Sequence, residues 1–171
     1  MHSTLVITIM SDDRPGIVNE LSTVIAQQKG SWLQSHFADL AGKFTGIMTV
    51  SIPDDNRKSF VSTLALLKHD GIDIRVEETV NTTKKESIIR FTVIANDRVG
   101  IVSEISSRLR AHNFSIHSLT TETQSGSMSG IPMFSAKLSV ILTDDKSEEE
   151  AQTELAEALE ALSDDLMIEF K

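Results

Sequence analysis

Two stretches, Asp13-Arg14-Pro15-Gly16-Ile17-Val18 and Asp97-Arg98-Val99-Gly100-Ile101-Val102, carry the residue types best suited to chemistry. Each sits where an apolar, β-rich run gives way to a helical pattern. At such a strand-to-helix turn the first backbone N–H groups of the helix lack intrahelical partners, and the positive end of the helix dipole faces the loop. A carboxylate or another small anion is stabilised there. Gly16 and Gly100 have no Cβ, so a ligand or a facing backbone can come close. Asp13 and Asp97 supply negative charge for an ammonium group. An α-amino acid carries both charges a short distance apart and suits the site. The plainer alternative is that Asp13 and Asp97 only cap their helices, with Pro15 fixing the first helical turn.

Ser31 and Ser115 open the second strand of each copy, and this position is expected to lie close to the first turn. A hydroxyl there could bond a ligand, although bonding to local backbone is the commoner role. Trp32, the only tryptophan, suits a pocket or an interface as well as it suits plain core. The histidines, His2, His36, His69, His112 and His117, show no metal-binding spacing. The pairs Asp54-Asp55, Asp144-Asp145 and Asp164-Asp165 fall at element boundaries, and helix-start electrostatics accounts for the first two. There is no cysteine, no Gly-x-Ser-x-Gly elbow at a strand-to-helix turn and no phosphate loop. No catalytic residue, metal or cofactor is therefore expected, and the chain does not read as an enzyme.

The elements that position these residues come in two copies. Leu5 to Val18 recurs as Ile89 to Val102, an offset of 84, and Phe44 to Asp54 recurs as Phe134 to Asp144, an offset of 90. The residues gained by the second copy fall in the polar stretch Ser125 to Gly130. In the first copy the pattern predicts strands at 4–10, 31–40, 43–52 and 72–80. In the second it predicts strands at 87–95, 114–124, 131–143 and 166–170. Helical periodicity marks Ile17, Val18, Leu21, Val24 and Ile25, and again Ile101, Val102, Ile105 and Leu109. Further helices are expected at 56–69, with Phe60, Leu64 and Leu67 inward, and at 147–163, with Ala151, Leu155, Ala158, Leu159 and Leu162 inward. Ser147 and Glu150 fit a capping box.

The order βαββαβ is a split βαβ, ferredoxin-like arrangement of class α+β, with both helices on one face of a four-stranded antiparallel sheet. The expected domains are 1–81 and 87–171, joined by a linker at 82–86. Each is small enough to need further burial, against the other unit or against a second chain, and a homo-oligomer such as a dimer is expected.

Hydrophobic residues make up 40% of the 171 and charged residues 24%, as in an ordinary globular protein. The formal net charge of −9 leaves no basic footprint for direct nucleic-acid binding and disfavours an anionic membrane. Neither a secretory signal nor a long apolar run is visible, so the cytoplasm is the default expectation.

A βαββαβ unit with Asp13-Arg14-Pro15-Gly16-Ile17-Val18 at its first turn resembles an ACT domain, and the chain resembles a tandem pair of them. Three stretches narrow the resemblance further: Gly30 to Ser35, Leu40 to Ile47 and Met128 to Phe134 are similar to the glycine cleavage system transcriptional repressor family. The resemblance implies a regulator that binds an amino acid near the turn and the start of the second strand. Those positions are Asp13, Gly16, Ile17 and Ser31, then Asp97, Gly100, Ile101 and Ser115. It further implies repression of glycine cleavage genes through a LysR-type activator protein, with glycine or serine as the signal. Many amino-acid-binding ACT domains carry Asn where Ser31 and Ser115 stand. That departure supports an alternative, an interaction or assembly module with degenerate ligand sites.

Overall fold

The computed structural model describes residues 1–79, 87–125, 130–142 and 146–171. The expected linker at 82–86, the pair Asp144-Asp145 and most of the expected Ser125–Gly130 loop lie outside them. The chain divides into two compact units, Met1–Thr83 and Lys84–Lys171.

The first unit consists of β1 (His2–Asp12), α1 (Ile17–Gln27), β2 (Ser31–Leu40), β3 (Lys43–Pro53), α2 (Arg57–Leu66) and β4 (Asp73–Glu78). The second consists of β5 (Ile88–Asn96), α3 (Ile101–Ala111), β6 (Phe114–Ser125), β7 (Pro132–Leu142), α4 (Glu148–Glu160) and β8 (Met167–Phe170). Their sheets run β2-β3-β1-β4 and β6-β7-β5-β8, with every neighbouring pair antiparallel. Each unit is thus a ferredoxin-like βαββαβ fold of class α+β. The helix predicted over 56–69 is shorter than expected, because turns of 3-10 helix at Asp54–Asn56 and Leu67–Asp70 flank α2.

Alternation along the strands sends one face to the helices. Leu5, Ile7 and Ile9 of β1 and Met48, Val50 and Ile52 of β3 pack with Ile17, Leu21, Val24 and Ile25 of α1 and Phe60 and Leu64 of α2. In the second unit Ile89, Phe91, Val93 and Ala95 pack with Ile101, Ile105 and Leu109 of α3 and Ala151, Leu155 and Leu159 of α4. Val18 and Val102, expected inward, are exposed, since they fall on the outer flank of their helices. Ser147 and Glu150 do close a capping box on α4, with the Ser147 hydroxyl accepting from the Glu150 N–H. Among the described residues, no helix is long and apolar enough to cross a membrane.

Candidate functional site

Each Asp-Arg-x-Gly turn is pinned to the neighbouring hairpin. The N–H of Asp13 donates to the Gly42 carbonyl at 2.9 Å, and the N–H of Asp97 donates to the Pro132 carbonyl at 2.8 Å. The chain then turns through glycine. Gly16 holds φ 101° and Gly100 φ 90°, both left-handed, and each occupies the N-cap of the following helix. Their carbonyls accept from the N–H groups of Glu20 and Glu104 at 2.9 and 3.0 Å, which starts the helical ladder.

Among the described residues, no side chain caps α1 or α3. This corrects the plainer alternative: Asp13 and Asp97 are exposed and do not cap, and Pro15 precedes the N-cap instead of forming the first helical residue. The first-turn amides of α1 find no acceptor outside the helix among the described residues. In the second unit, the Ile101 N–H bonds back to the Arg98 carbonyl at 3.3 Å.

The arginine of each turn folds over the helix start. Arg14 donates twice to Glu20, at 2.6 and 2.7 Å. Arg98 donates to Glu104 at 2.6 Å. The Arg14 hydrogen bond holds the Glu20 carboxyl below the usual glutamate range, and Glu20 in turn raises the Arg14 guanidinium. Sequence reasoning missed this clasp. The repeat of an Arg–Glu spacing in both copies was the available signal.

A second feature separates the two turns. Ser11, near the end of β1, lies on the helix-facing side and is 6% exposed. Its Oγ finds no hydrogen-bond partner among the described residues. The matching position in the second unit is Ala95, which has no such atom to satisfy.

The structure corrects the expected placement of Ser31 and Ser115. Within a unit, β2 and β1 both run antiparallel to β3 and hence parallel to each other. Ser31 pairs with Ser51, and Ser51 pairs with Thr4 near the start of β1. The Asp13 turn follows the other end of that strand, roughly 25 Å away at the usual rise per residue. Ser115 likewise pairs with Ile141, which pairs with Ile88 at the start of β5. Neither serine meets the turn of its own unit, because the crossover through the first helix returns the chain to the opposite end of the sheet. Ile17 and Ile101 are 2% and 3% exposed, so their side chains serve the core, and only their backbone faces the turn.

The remaining candidates have structural roles. Asp165 accepts from the Asn96 N–H at 2.7 Å and from the Ser163 hydroxyl, tying the entry to β8 against the end of β5. Asp54 accepts from Ser3 at 2.7 Å. Trp32 packs at 5.8 Å from Phe37, which stacks on Phe44, so the tryptophan extends the first core. Among the described residues, no group of three or more His, Asp or Glu side chains could hold a metal ion.

Residues 3–77 match the family model of the ACT domain. No curated protein matches the chain at a significant level. A crystal structure of an unknown protein from Galdieria sulphuraria superposes with a TM-score of 0.81 at 22% identity, over 100% of this chain and 98% of that one. A crystal structure of a candidate glycine cleavage system transcriptional repressor superposes with a TM-score of 0.72 at 21% identity, again over 100% and 98%. Both likenesses are of fold. Residues 3–77, most of the first unit, are thus similar to the ACT domain family, and the second unit repeats the same βαββαβ fold.

Proposed function

We propose that the chain is a regulatory protein that binds a small amino acid, glycine or serine, and passes that signal to a partner protein. One observation carries the reading: the Asp13–Ile17 turn joins an uncapped helix start, a left-handed glycine and an exposed carboxylate. The helix start suits a ligand carboxylate, and Asp13 suits its ammonium group. The buried Ser11 hydroxyl, without a partner among the described residues, makes the first turn the stronger of the two. The site comprises Asp13, Gly16 and the Ile17 backbone, with Asp97, Gly100 and Ile101 as its weaker counterpart. Ser31 and Ser115 do not belong to the turn of their own unit.

The described fold likeness to a candidate glycine cleavage repressor supports transcriptional control of glycine cleavage as the setting. The net charge of −9 favours action through a protein, such as a LysR-type activator, over direct contact with DNA. Binding can act as a signal only if the ligand prefers one arrangement of the protein.

A thermal-midpoint screen of the common amino acids tests this. Glycine or serine should raise the midpoint of the wild-type chain and leave Asp13→Asn unmoved. A flat response to every amino acid would overturn the reading. A second reading, an assembly module, is favoured by the long edge strands: β2 spans ten residues and β6 twelve, with all of β6 exposed except Phe114. Such edges are templates for association. Self-association without any amino-acid response would select it.

A further inference from the structure

The sheet face of the second unit that points away from its helices carries a patch of a different character from the rest of the chain. Phe91, Val93, Leu138, Val140, Ile168 and Phe170 point to the helices, so Arg90, Thr92, Lys137, Ser139 and Glu169 point away. Register then sets two adjacent rows. Ser118 pairs with Ser139 and Ser139 with Arg90, and Lys171, just past β8, donates its N–H to the Arg90 carbonyl at 3.0 Å. In the next row Thr120 pairs with Lys137, Lys137 with Thr92, and Thr92 with Glu169. Arg90, Lys137 and Lys171 line one shallow depression with Ser118, Thr120 and Ser139.

Three properties of this depression point to an anion. Its three cations make no ion pair or side-chain hydrogen bond among the described residues. Like charges side by side on a sheet face repel, so the arrangement costs stability unless an anion joins it. The chain has 25 acidic residues, yet only Glu169 stands in these two rows. The first unit has nothing similar at the matching positions: Val6, Ile47 and Glu77 stand where Arg90, Lys137 and Lys171 stand in the second. Phe91, the one aromatic residue along the depression, is buried in the core, so no ring is offered as the stacking platform of a single-strand nucleic-acid site.

We propose that this depression binds a phosphoryl group, either as free phosphate or on a small phosphorylated molecule. A phosphoryl group brings close to two negative charges and three acceptor oxygens. Donors on β6, β7, β5 and the residue after β8 match that tetrahedral set, and a guanidinium can hold two of the oxygens at once. A planar carboxylate offers fewer acceptors to such a spread of donors. The site shares no residue with the Asp13 turn and stands independently of it.

The test is calorimetric titration of the full chain at constant ionic strength with orthophosphate, glycerol 3-phosphate and succinate. Saturable binding of orthophosphate or of the phosphomonoester is expected, and the stronger arm identifies the source. Arg90→Gln with Lys137→Gln should weaken binding about tenfold or more, since each removes a charge-assisted hydrogen bond. Lys137→Arg should retain it. Lys58→Gln with Lys68→Gln removes the same charge from the first unit and should change nothing. Equal binding of succinate would overturn the proposal. So would equal loss in the first-unit variant, the absence of saturable binding at millimolar ligand, or capture of a labelled oligonucleotide without capture of phosphate.

Discussion

The guanidinium of Arg14 holds the carboxylate of Glu20 in a fork of two parallel hydrogen bonds, 2.6 and 2.7 Å long. Arg98 reaches Glu104 through one, at 2.6 Å, from the same relative position. The fork fixes the turn against the first turn of α1 and leaves Asp13 outside it. Both side chains remain about one-third exposed, so the fork orders the turn more than it stabilises the fold. Arg14→Gln is expected to leave the urea midpoint nearly unchanged while speeding amide hydrogen exchange at the start of α1. Arg98→Gln should show the same pattern at α3 more weakly.

Gly16 has room for a Cβ, since the nearest atom a methyl group would meet is Glu20 Oε1 at 3.8 Å. Its φ of 101° is the obstacle. Gly16→Ala should therefore cost about 1–2 kcal/mol through backbone strain alone. Chemical denaturation monitored by the fluorescence of Trp32, which lies in the same unit, measures it. Gly46 fails for the opposite reason: an added Cβ would lie 2.6 Å from the His36 carbonyl and collide with the Phe37 ring. Gly46→Ala should be the more damaging of the two in the same measurement.

Ser11 separates stability from ligand response. A buried hydroxyl without a partner costs stability, and the second unit places Ala95 at the matching site. Ser11→Ala should raise stability by about 1 kcal/mol. If the hydroxyl serves the ligand, the same change should reduce the glycine- or serine-induced midpoint shift. A drop in stability would mean that the hydroxyl already has a partner.

Acid should destabilise the chain in a defined direction. Hydrogen bonds from Arg14 lower Glu20, the backbone and hydroxyl of Ser147 lower Glu150, Lys146 and then His112 lower Glu154, and Ser163 and then the Asn96 N–H lower Asp165. Each carboxyl is more acidic folded than unfolded, so the unfolded chain takes up more protons as pH falls. The contribution is complete above the unfolded carboxylate range and is lost as pH falls through the lower folded values. Urea midpoints should stay level down to the ordinary carboxylate range and then fall. Glu150→Gln keeps an acceptor for the Ser147 N–H and removes one titration, so its acid fall should be shallower.

The repeat, the βαββαβ order, the capping box at Ser147 and Glu150 and, Val18 and Val102 apart, the inward faces of the first helices were legible in the sequence. Each depends on residues near one another along the chain, where periodicity and cap chemistry act. The Asp-Arg-x-Gly turns were legible as strand-to-helix turns for the same reason, but the left-handed φ that calls for Gly16 and Gly100 was not. Tertiary structure decided which groups share a place. It put Ser31 and Ser115 at the far end of the sheet from their own turns, because strand direction and the helical crossover set that, and composition does not record direction. It folded Arg14 onto Glu20 and left the Ser11 hydroxyl without a partner among the described residues, because side-chain reach and burial depend on packing. It also gathered Ser118, Ser139, Arg90 and Lys171 into one row, from positions far apart in the chain that only strand register brings together.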